Sequence, residues 1–337
     1  MSAPHTQPVG EESVLDVVRR RAATGSVPGR RTDEHLVSLA IEGGGMRGVV
    51  SAGMCAVLEA AGLIPAFDRI YGCSAGAVTG CFTAAGQAVL WATTFEDIAG
   101  RQLIDPARVL RGRPILDLGF LFETVIATRK PLSEVGLACG PALHAVAVSA
   151  EDATLRVLAD FRDTADLLDA VRVSCTIPVL GGSAVSYRGE QMVDGALLEP
   201  IPFVSALREG SSHVLVLRSR PAGYHARERS RVAELAMRRA RPELRAAVRD
   251  AGARYNRDVD ALEESARPGR TVTQIAVPAA SRLVPRLSTD PGRIAESLRL
   301  GAAAMAAALY GESTRLMWQP VPYPHRAPLD GVARVAA

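Results

Sequence analysis

A serine between two glycines, placed directly after an apolar run, most constrains what this chain can fold into. The run at residues 67–71 leads into Gly72-x-Ser74-x-Gly76, and a stretch of small residues follows. This pattern predicts a buried strand, a sharp turn at Ser74 and a helix that begins at once. The turn is so tight that Gly72 and Gly76 must lack side chains. The sequence therefore predicts a nucleophile elbow, with the Ser74 hydroxyl at a helix N-terminus where the dipole favours developing negative charge.

A second glycine-rich turn follows an earlier apolar run, residues 36–41, which is typical of a strand buried on both faces. The turn consists of Gly43, Gly44, Gly45, Met46, Arg47 and Gly48. Its glycines satisfy GxGxxG, the dinucleotide fingerprint, but that function also needs an acidic residue at the end of the second strand. Here Asp68 precedes the second strand, and Ser74 follows it. The pattern therefore favours the other interpretation, in which backbone N–H groups of the loop bind an oxyanion beside Ser74.

Three motifs in this order resemble the patatin-like phospholipases: GGGxRG at 43–48, GxSxG at 72–76, and Asp194-Gly195-Ala196. The stretches 174–178 and 200–202 are also similar to the family, so the resemblance extends over residues 36–217. It implies a three-layer α/β/α sandwich with a mostly parallel central sheet, and a Ser–Asp dyad without histidine. On the matching positions it makes Ser74 the nucleophile, Asp194 the base and the glycine loop the oxyanion hole.

The residues around Asp194 predict a hairpin at 185–193 that ends at this carboxylate, with Gly195 allowing a sharp exit. Asp-Gly is a very common turn pair, so Asp194 alone indicates no more than a turn. Asp194 becomes the candidate base because the other two motifs are present in the same chain. Because a carboxylate with a pKa of ~3.9 is a weak base for a hydroxyl, stabilisation of the oxyanion has to contribute more than in a histidine-dependent site.

The sequence leaves the catalytic chemistry open in several respects. A Ser–Asp–His triad needs a histidine after Asp194. Only His225 is suitably placed, because His213 begins its predicted strand and so lies at the edge opposite the elbow. A Cys73 nucleophile is disfavoured since the elbow turns the residue before its serine inward. A non-catalytic lipid-binding or regulatory protein could share the fold, but intact Ser74 and Asp194 argue against it. Acyl transfer to an alcohol would use the same acyl-enzyme as hydrolysis, so the sequence does not separate these two reactions.

Composition and charge exclude other classes of protein. The 337 residues include 39 basic and 36 acidic side chains, interspersed, which is unlike a nucleic-acid footprint. Five cysteines without a CxxC pair argue against a disulfide framework and a zinc site, and no cofactor motif is present. Residues 1–12 lack the features of a signal peptide, and no run reaches the ~20 apolar residues of a membrane span. We expect a cytoplasmic protein that needs no cofactor and no metal.

The sequence predicts one hydrolase domain at residues 36–312, between a flexible extension at 1–35 and a Pro-rich tail at 313–337. Residues 90–130 are predicted to form a helical cap that sets substrate choice. A helical insertion near 228–265 is rich in arginine. The simpler interpretation is that these arginines form a solvent-exposed helix face. The more specific interpretation is that they dock on an anionic membrane. The predicted function is hydrolysis of carboxylic esters of lipids, of the phospholipase A or lysophospholipase type.

Overall fold

The computed structural model describes residues 12–178, 180–227, 241–265 and 271–311, and its centre is a mixed, mostly parallel sheet. The strands are β1 (Val37–Ile41), β2 (Arg69–Cys73), β3 (Ala142–Ser149), β4 (Leu155–Leu158), β5 (Val185–Tyr187), β6 (Glu190–Asp194), β7 (His213–Leu217) and β8 (Val272–Ile275). Their order is β5-β6-β3-β2-β1-β7-β8, with β4 also paired to β3. Strands β3, β2, β1, β7 and β8 are parallel neighbours, whereas β4 and β6 run antiparallel to β3.

Helices flank this sheet, as expected for an α/β/α sandwich. They are α1 (Val14–Ala23), α2 (Val49–Ala60), α3 (Ala75–Ala84), α4 (Ala88–Asp97), α5 (Glu134–Cys139), α6 (Thr164–Ser174), α7 (Phe203–Arg208), α8 (Pro242–Ser265) and α9 (Pro291–Tyr310). Successive side chains of β1 enter different layers: Leu39 and Ile41 pack in one apolar cluster, and Ala40 packs in another with Tyr255 of α8. Burial on both faces explains why this strand is apolar at every position except Ser38.

Helices α2 and α9 approach each other through glycines. A Cβ atom added to Gly301 of α9 would lie 2.0 Å from the Val50 carbonyl oxygen of α2. A Cβ added to Gly53 of α2 would lie 2.4 Å from the Leu298 carbonyl oxygen. Because the two backbones are in direct contact, this pair of helices tolerates no side chain at either position.

A cap connects α4 to α5. It contains a 3₁₀-helix, Pro106–Arg111, and a π-helix, Phe120–Arg129. A single bridge between Ile104 and Leu116 closes the base of the first of these. No helix in the described ranges is long and apolar enough to pass through a bilayer.

Residues 12–35 belong to the folded domain, which corrects the flexible extension predicted up to residue 35. Val14, Val17 and Val18 of α1 are fully buried. The fully buried Arg21 guanidinium lies 2.6 Å from Asp33 Oδ1 and donates to the Asp68 carboxylate as well. These ion pairs offset the desolvation of Arg21. The rest of the predicted extension, the tail at 313–337 and residues 228–240 of the arginine-rich insertion lie outside the described residues.

Candidate active site

Ser74 lies in a strained turn between β2 and α3. Its φ of 55° and ψ of −128° are rarely adopted by residues other than glycine. A Cβ on Gly76 would lie 2.3 Å from the Ile41 carbonyl oxygen, and a Cβ on Gly72 would lie 2.5 Å from the Ala77 Cα. The neighbouring backbone therefore excludes side chains at both glycines, which is the steric reason expected from the sequence.

Ser174, at the end of α6, holds this turn in place. Its hydroxyl accepts a hydrogen bond from the Ser74 amide at 2.9 Å and donates to the Val146 carbonyl of β3 at 2.6 Å. The hydroxyl is fully buried, so both bonds form away from water. Ser174 belongs to a segment that resembles the family, but its role is not visible in the sequence, because nothing in the local pattern shows which strand it reaches.

The pairing of β3 brings Asp194 to the elbow. Strand β2 pairs with residues 142–146 of β3, β4 pairs with residues 145–148, and β6 pairs with residues 147–149. Since β4 overlaps both of the others, it occupies one edge of β3, and β2 and β6 lie end to end on the other edge. Asp194 is the residue of β6 that meets the end of β2, and its Oδ1 lies 3.9 Å from the Cys73 sulfur.

The Asp194 carboxylate is almost completely buried, with 1% of the residue exposed. Its Oδ1 atom accepts a hydrogen bond from the Ala196 amide at 2.7 Å, whereas Oδ2 has no partner of hydrogen-bond geometry within the described part of the chain. Burial raises the pKa of Asp194 to about 6, although the nearby Ser74 hydroxyl and the Arg286 charge act to lower it. One oxygen of this carboxylate is therefore available to take a proton.

The glycine loop covers the elbow. A Cβ on Gly43 would lie 3.2 Å from the Ser74 Cβ, so loop and elbow are in contact. The amides of Gly44 and Gly45 have no acceptor among the residues that the structure describes. The Met46 amide donates to the Arg286 carbonyl at 3.0 Å. This bond corrects the prediction that the Met46 amide helps to bind an oxyanion, because its hydrogen is already engaged.

Comparison with known proteins shows the family to which the chain belongs. Residues 39–207 match the family model described as Patatin-like phospholipase. The chain belongs to the patatin-like phospholipase family. An uncharacterized protein of Escherichia coli K12, YjjU, is 30% identical over 191 residues, which are 55% of this chain and 52% of YjjU. This patatin-like chain thus spans about half the length of that relative. A structure of VipD from Legionella pneumophila matches 82% of this chain and 67% of its own at 14% identity, with a TM-score of 0.40.

A buried hydrogen-bond network holds the glycine loop of this patatin-like domain in position. Glu42, which precedes the loop, accepts hydrogen bonds from the Ser219 amide at 2.7 Å and the Tyr255 hydroxyl at 2.9 Å. Arg218 lies 3.2 Å from the same carboxylate and also donates to the Tyr255 oxygen. The Ser219 hydroxyl donates to the Gly43 carbonyl at 2.8 Å. Strand β7 and helix α8 therefore fix the loop, and sequence reasoning missed these partners because they are far apart along the chain.

Arg47 of the loop is buried, and its Nε has no hydrogen-bond partner among the described residues. Burial and the charge of Arg220 lower the pKa of Arg47 to about 10, so the side chain stays charged at neutral pH. Arg47 thus adds positive charge beside the loop. Among the described residues, no hydrogen bond of its side chain assigns it a further role.

The two histidines considered from the sequence, and His144 of β3, make no hydrogen bond with Asp194 in the described structure. His225 is exposed and its Nε2 lies 2.9 Å from Asp260, which raises the pKa of the imidazole. His213 is buried at the start of β7, the end of the sheet opposite to the elbow. His144, in the middle of β3, stacks on Tyr71 with ring centroids 4.5 Å apart, which is a packing role.

The buried cysteines of the site are poor nucleophiles. Burial raises the pKa of Cys73 and of Cys175 well above the ordinary value, so both thiols are neutral. Cys73 points into the protein, as expected for the residue before an elbow serine. Within the described ranges, no group of three or more His, Cys, Asp or Glu side chains could hold a metal ion.

Proposed function

We propose that this patatin-like protein is a serine acyl hydrolase that cleaves carboxylic esters of lipids, of the phospholipase A or lysophospholipase type. Membership of the family supports hydrolase activity on lipid acyl groups. The observation that carries the finer proposal is the buried Asp194 carboxylate, whose Oδ2 has no hydrogen-bond partner in the described residues and which lies beside the Ser74 elbow. Such a pair of groups is what proton transfer from a serine hydroxyl requires.

In this mechanism the Ser74 oxygen attacks the ester carbonyl carbon, and its proton passes to Asp194. The negative charge that forms on the carbonyl oxygen is bound by the amides of Gly44 and Gly45, which have no acceptor in the described structure. Collapse of the tetrahedral intermediate breaks the carbon–oxygen bond of the ester, and Asp194 returns the proton to the departing alcohol. Water then attacks the acyl-enzyme while Asp194 accepts its proton. Collapse of this second tetrahedral intermediate breaks the bond between the acyl carbon and the Ser74 oxygen, Asp194 returns the proton to that oxygen, and the fatty acid leaves.

The raised pKa of Asp194 suits this role. A carboxylate with a pKa of about 6 is a stronger base than one at its ordinary value, and it is still mostly ionised at pH 7 to 8. Burial therefore offsets part of the weakness of a carboxylate base. The two loop amides supply the remaining stabilisation, and loss of one such donor costs roughly 3 to 4 kcal/mol in other acyl-transfer enzymes.

Lipid esters are the proposed substrates. Because such esters are located in membranes, the proposed enzyme has to contact a membrane surface. In the described part of the arginine-rich insertion, two arginines are engaged by other groups of the protein. Arg254 of α8 donates to the Leu197 carbonyl at 2.9 Å, and Arg249 lies 3.0 Å from Asp250. These arginines have partners in the protein, which favours the simpler interpretation of α8 as a structural and solvated helix.

Labelling with a fluorophosphonate probe tests the dyad. We expect the wild type and His225→Ala to be labelled, Ser74→Ala not to be labelled, and Asp194→Asn to react far more slowly, because its side chain cannot take the proton. The labelled proteins are then assayed on diacyl and monoacyl phospholipids. Full activity of Asp194→Asn would contradict the dyad. A folded wild type that neither reacts with the probe nor hydrolyses lipid would instead support a non-catalytic lipid-binding protein.

A further inference from the structure

The cap tip, residues 106–113, exposes apolar side chains between arginines. Leu110 is 90% exposed and its neighbour Val109 is 56% exposed, and no residue of the 3₁₀-helix that carries them is buried. Arg111 and Arg113 are exposed on the same tip. Two adjacent exposed aliphatic residues with basic neighbours have the chemistry that an apolar and negatively charged surface would bind.

Hydrogen bonds hold this tip in a fixed shape. The Asp105 carboxylate accepts from the Ala107 amide at 3.1 Å, and the Arg113 amide donates to the Arg108 carbonyl at 3.0 Å. The Arg108 guanidinium donates to the Gln102 carbonyl at 2.8 Å and lies 3.1 Å from Asp117. The exposure of Val109 and Leu110 is therefore a property of an ordered turn, which holds their side chains out into solvent.

The tip is also connected to the candidate active site. The Leu116 amide, at the base of the tip, donates to the Leu180 carbonyl at 2.9 Å. Leu180 follows a segment that begins at Thr176, whose carbonyl accepts the Asp194 amide at 3.0 Å. A cavity of about 330 Å³ lies at this junction, lined in part by Arg113, Leu116 and Gly181. The base of the tip is therefore bonded to a residue four positions along the chain from the backbone partner of Asp194.

We propose that the cap tip docks on an anionic lipid bilayer, with Val109 and Leu110 inserted at the headgroup boundary and Arg111 and Arg113 among the phosphates. Charge complementarity selects this occupant, since a neutral apolar partner would leave both arginines without a counter-charge. The purpose of this docking, which is to bring the active site to its lipid substrate, rests on the proposed function. Binding itself is measured without any turnover.

Flotation of the full chain with phospholipid vesicles tests the docking. The vesicles contain phosphatidylcholine alone or equal parts of phosphatidylcholine and phosphatidylglycerol. We expect binding to the anionic vesicles that weakens with salt, and a loss of roughly tenfold or more in the double variant Val109→Ser, Leu110→Ser, because both apolar insertions are removed. The matched control is Val135→Ser on α5, an isolated valine that is 77% exposed, which should bind as the wild type does.

Substitutions of arginine distinguish docking by the cap tip from docking by helix α8. The double variant Arg111→Gln, Arg113→Gln should bind anionic vesicles more weakly and with less dependence on salt, whereas Arg245→Gln, Arg257→Gln on α8 should bind normally. Both α8 positions are exposed, so these substitutions are matched in environment. A loss confined to the α8 variant would move the docking surface to that helix and overturn the proposal.

Insertion is read directly with Leu110→Trp, whose added emission should shift to the blue on anionic vesicles. Unchanged vesicle binding by the Val109, Leu110 double variant would overturn the proposal. Failure of the wild type to bind anionic vesicles would also overturn it, and a protein partner would then be the remaining occupant of the tip. Hydrolysis of a soluble short-chain ester keeps the two proposals apart: the tip variants should retain it, and binding without any hydrolysis would reject the enzyme while leaving the docking intact.

Discussion

At the scale of single residues, the pKa of Asp194 links the stability of the fold to the proposed activity. Its pKa rises from an ordinary 3.8 to about 6 in the folded protein, so the folded state holds this proton more tightly than the unfolded chain does. The contribution of the group to stability is therefore complete below pH 4 and is lost as the pH rises through about 6. At pH 8 the buried carboxylate is ionised, and the fold carries the cost of desolvating it.

We predict that Asp194→Asn is more stable than the wild type at pH 8, by up to about 3 kcal/mol, because the amide stays neutral. The advantage should disappear near pH 3, which lies below the pKa of Asp194 in both states. Urea unfolding at the two pH values measures the difference. A gap between variant and wild type that does not change with pH would show that Asp194 titrates normally.

The proposed mechanism makes turnover depend on the same ionisation. We expect kcat/KM for a soluble ester to rise with pH and to level off above about pH 6, since the proposed base must be ionised. His225→Ala should follow the same profile, because its ring pairs with Asp260 at the surface. A profile of the wild type that the His225 substitution displaces would favour a Ser–Asp–His triad instead.

At the scale of elements, helix α8 supports a loop that lies far away along the chain. Tyr255→Phe removes the hydroxyl that donates to Glu42 and leaves one oxygen of a buried carboxylate without this donor. We expect a loss of about 1 to 3 kcal/mol in the free energy of unfolding and slower fluorophosphonate labelling, as the loop amides lose their fixed position. Tyr310→Phe on α9, where the tyrosine is 60% exposed, is the matched control and should behave as the wild type does in both assays.

The contact between α2 and α9 predicts a second element-scale effect. Alanine stabilises a helix relative to glycine by about 1 kcal/mol, yet Gly301→Ala would place its Cβ 2.0 Å from a backbone oxygen and force the helices apart. We predict a net loss of about 1 to 3 kcal/mol, measured by thermal or urea unfolding. Gly100→Ala, where a Cβ meets nothing within 4 Å, should be neutral. Equal stabilities for the two variants would mean that the helices can separate freely.

At the scale of the whole molecule, the sequence predicts local structure well but does not predict contacts between residues that are far apart along the chain. The doubly buried strands and the Ser74 turn are visible in the sequence because sterics and burial fix their residue types locally. The partners of the glycine loop are not visible, since Ser219, Tyr255 and Arg286 lie beyond residue 207, where the match to the family ends. Their contacts with the loop depend on tertiary packing, as does the burial of α1.

Because β2 and β6 share one edge of β3, the separation of Ser74 and Asp194 is fixed by hydrogen-bond register. A slip of one residue in the pairing of β6 with β3 would turn Asp194 to the opposite face of the sheet. Reactivity of Ser74 thus works as a readout of sheet assembly. During refolding, fluorophosphonate labelling would appear only in chains whose two strands have docked in the native alignment, even where helical content has already returned.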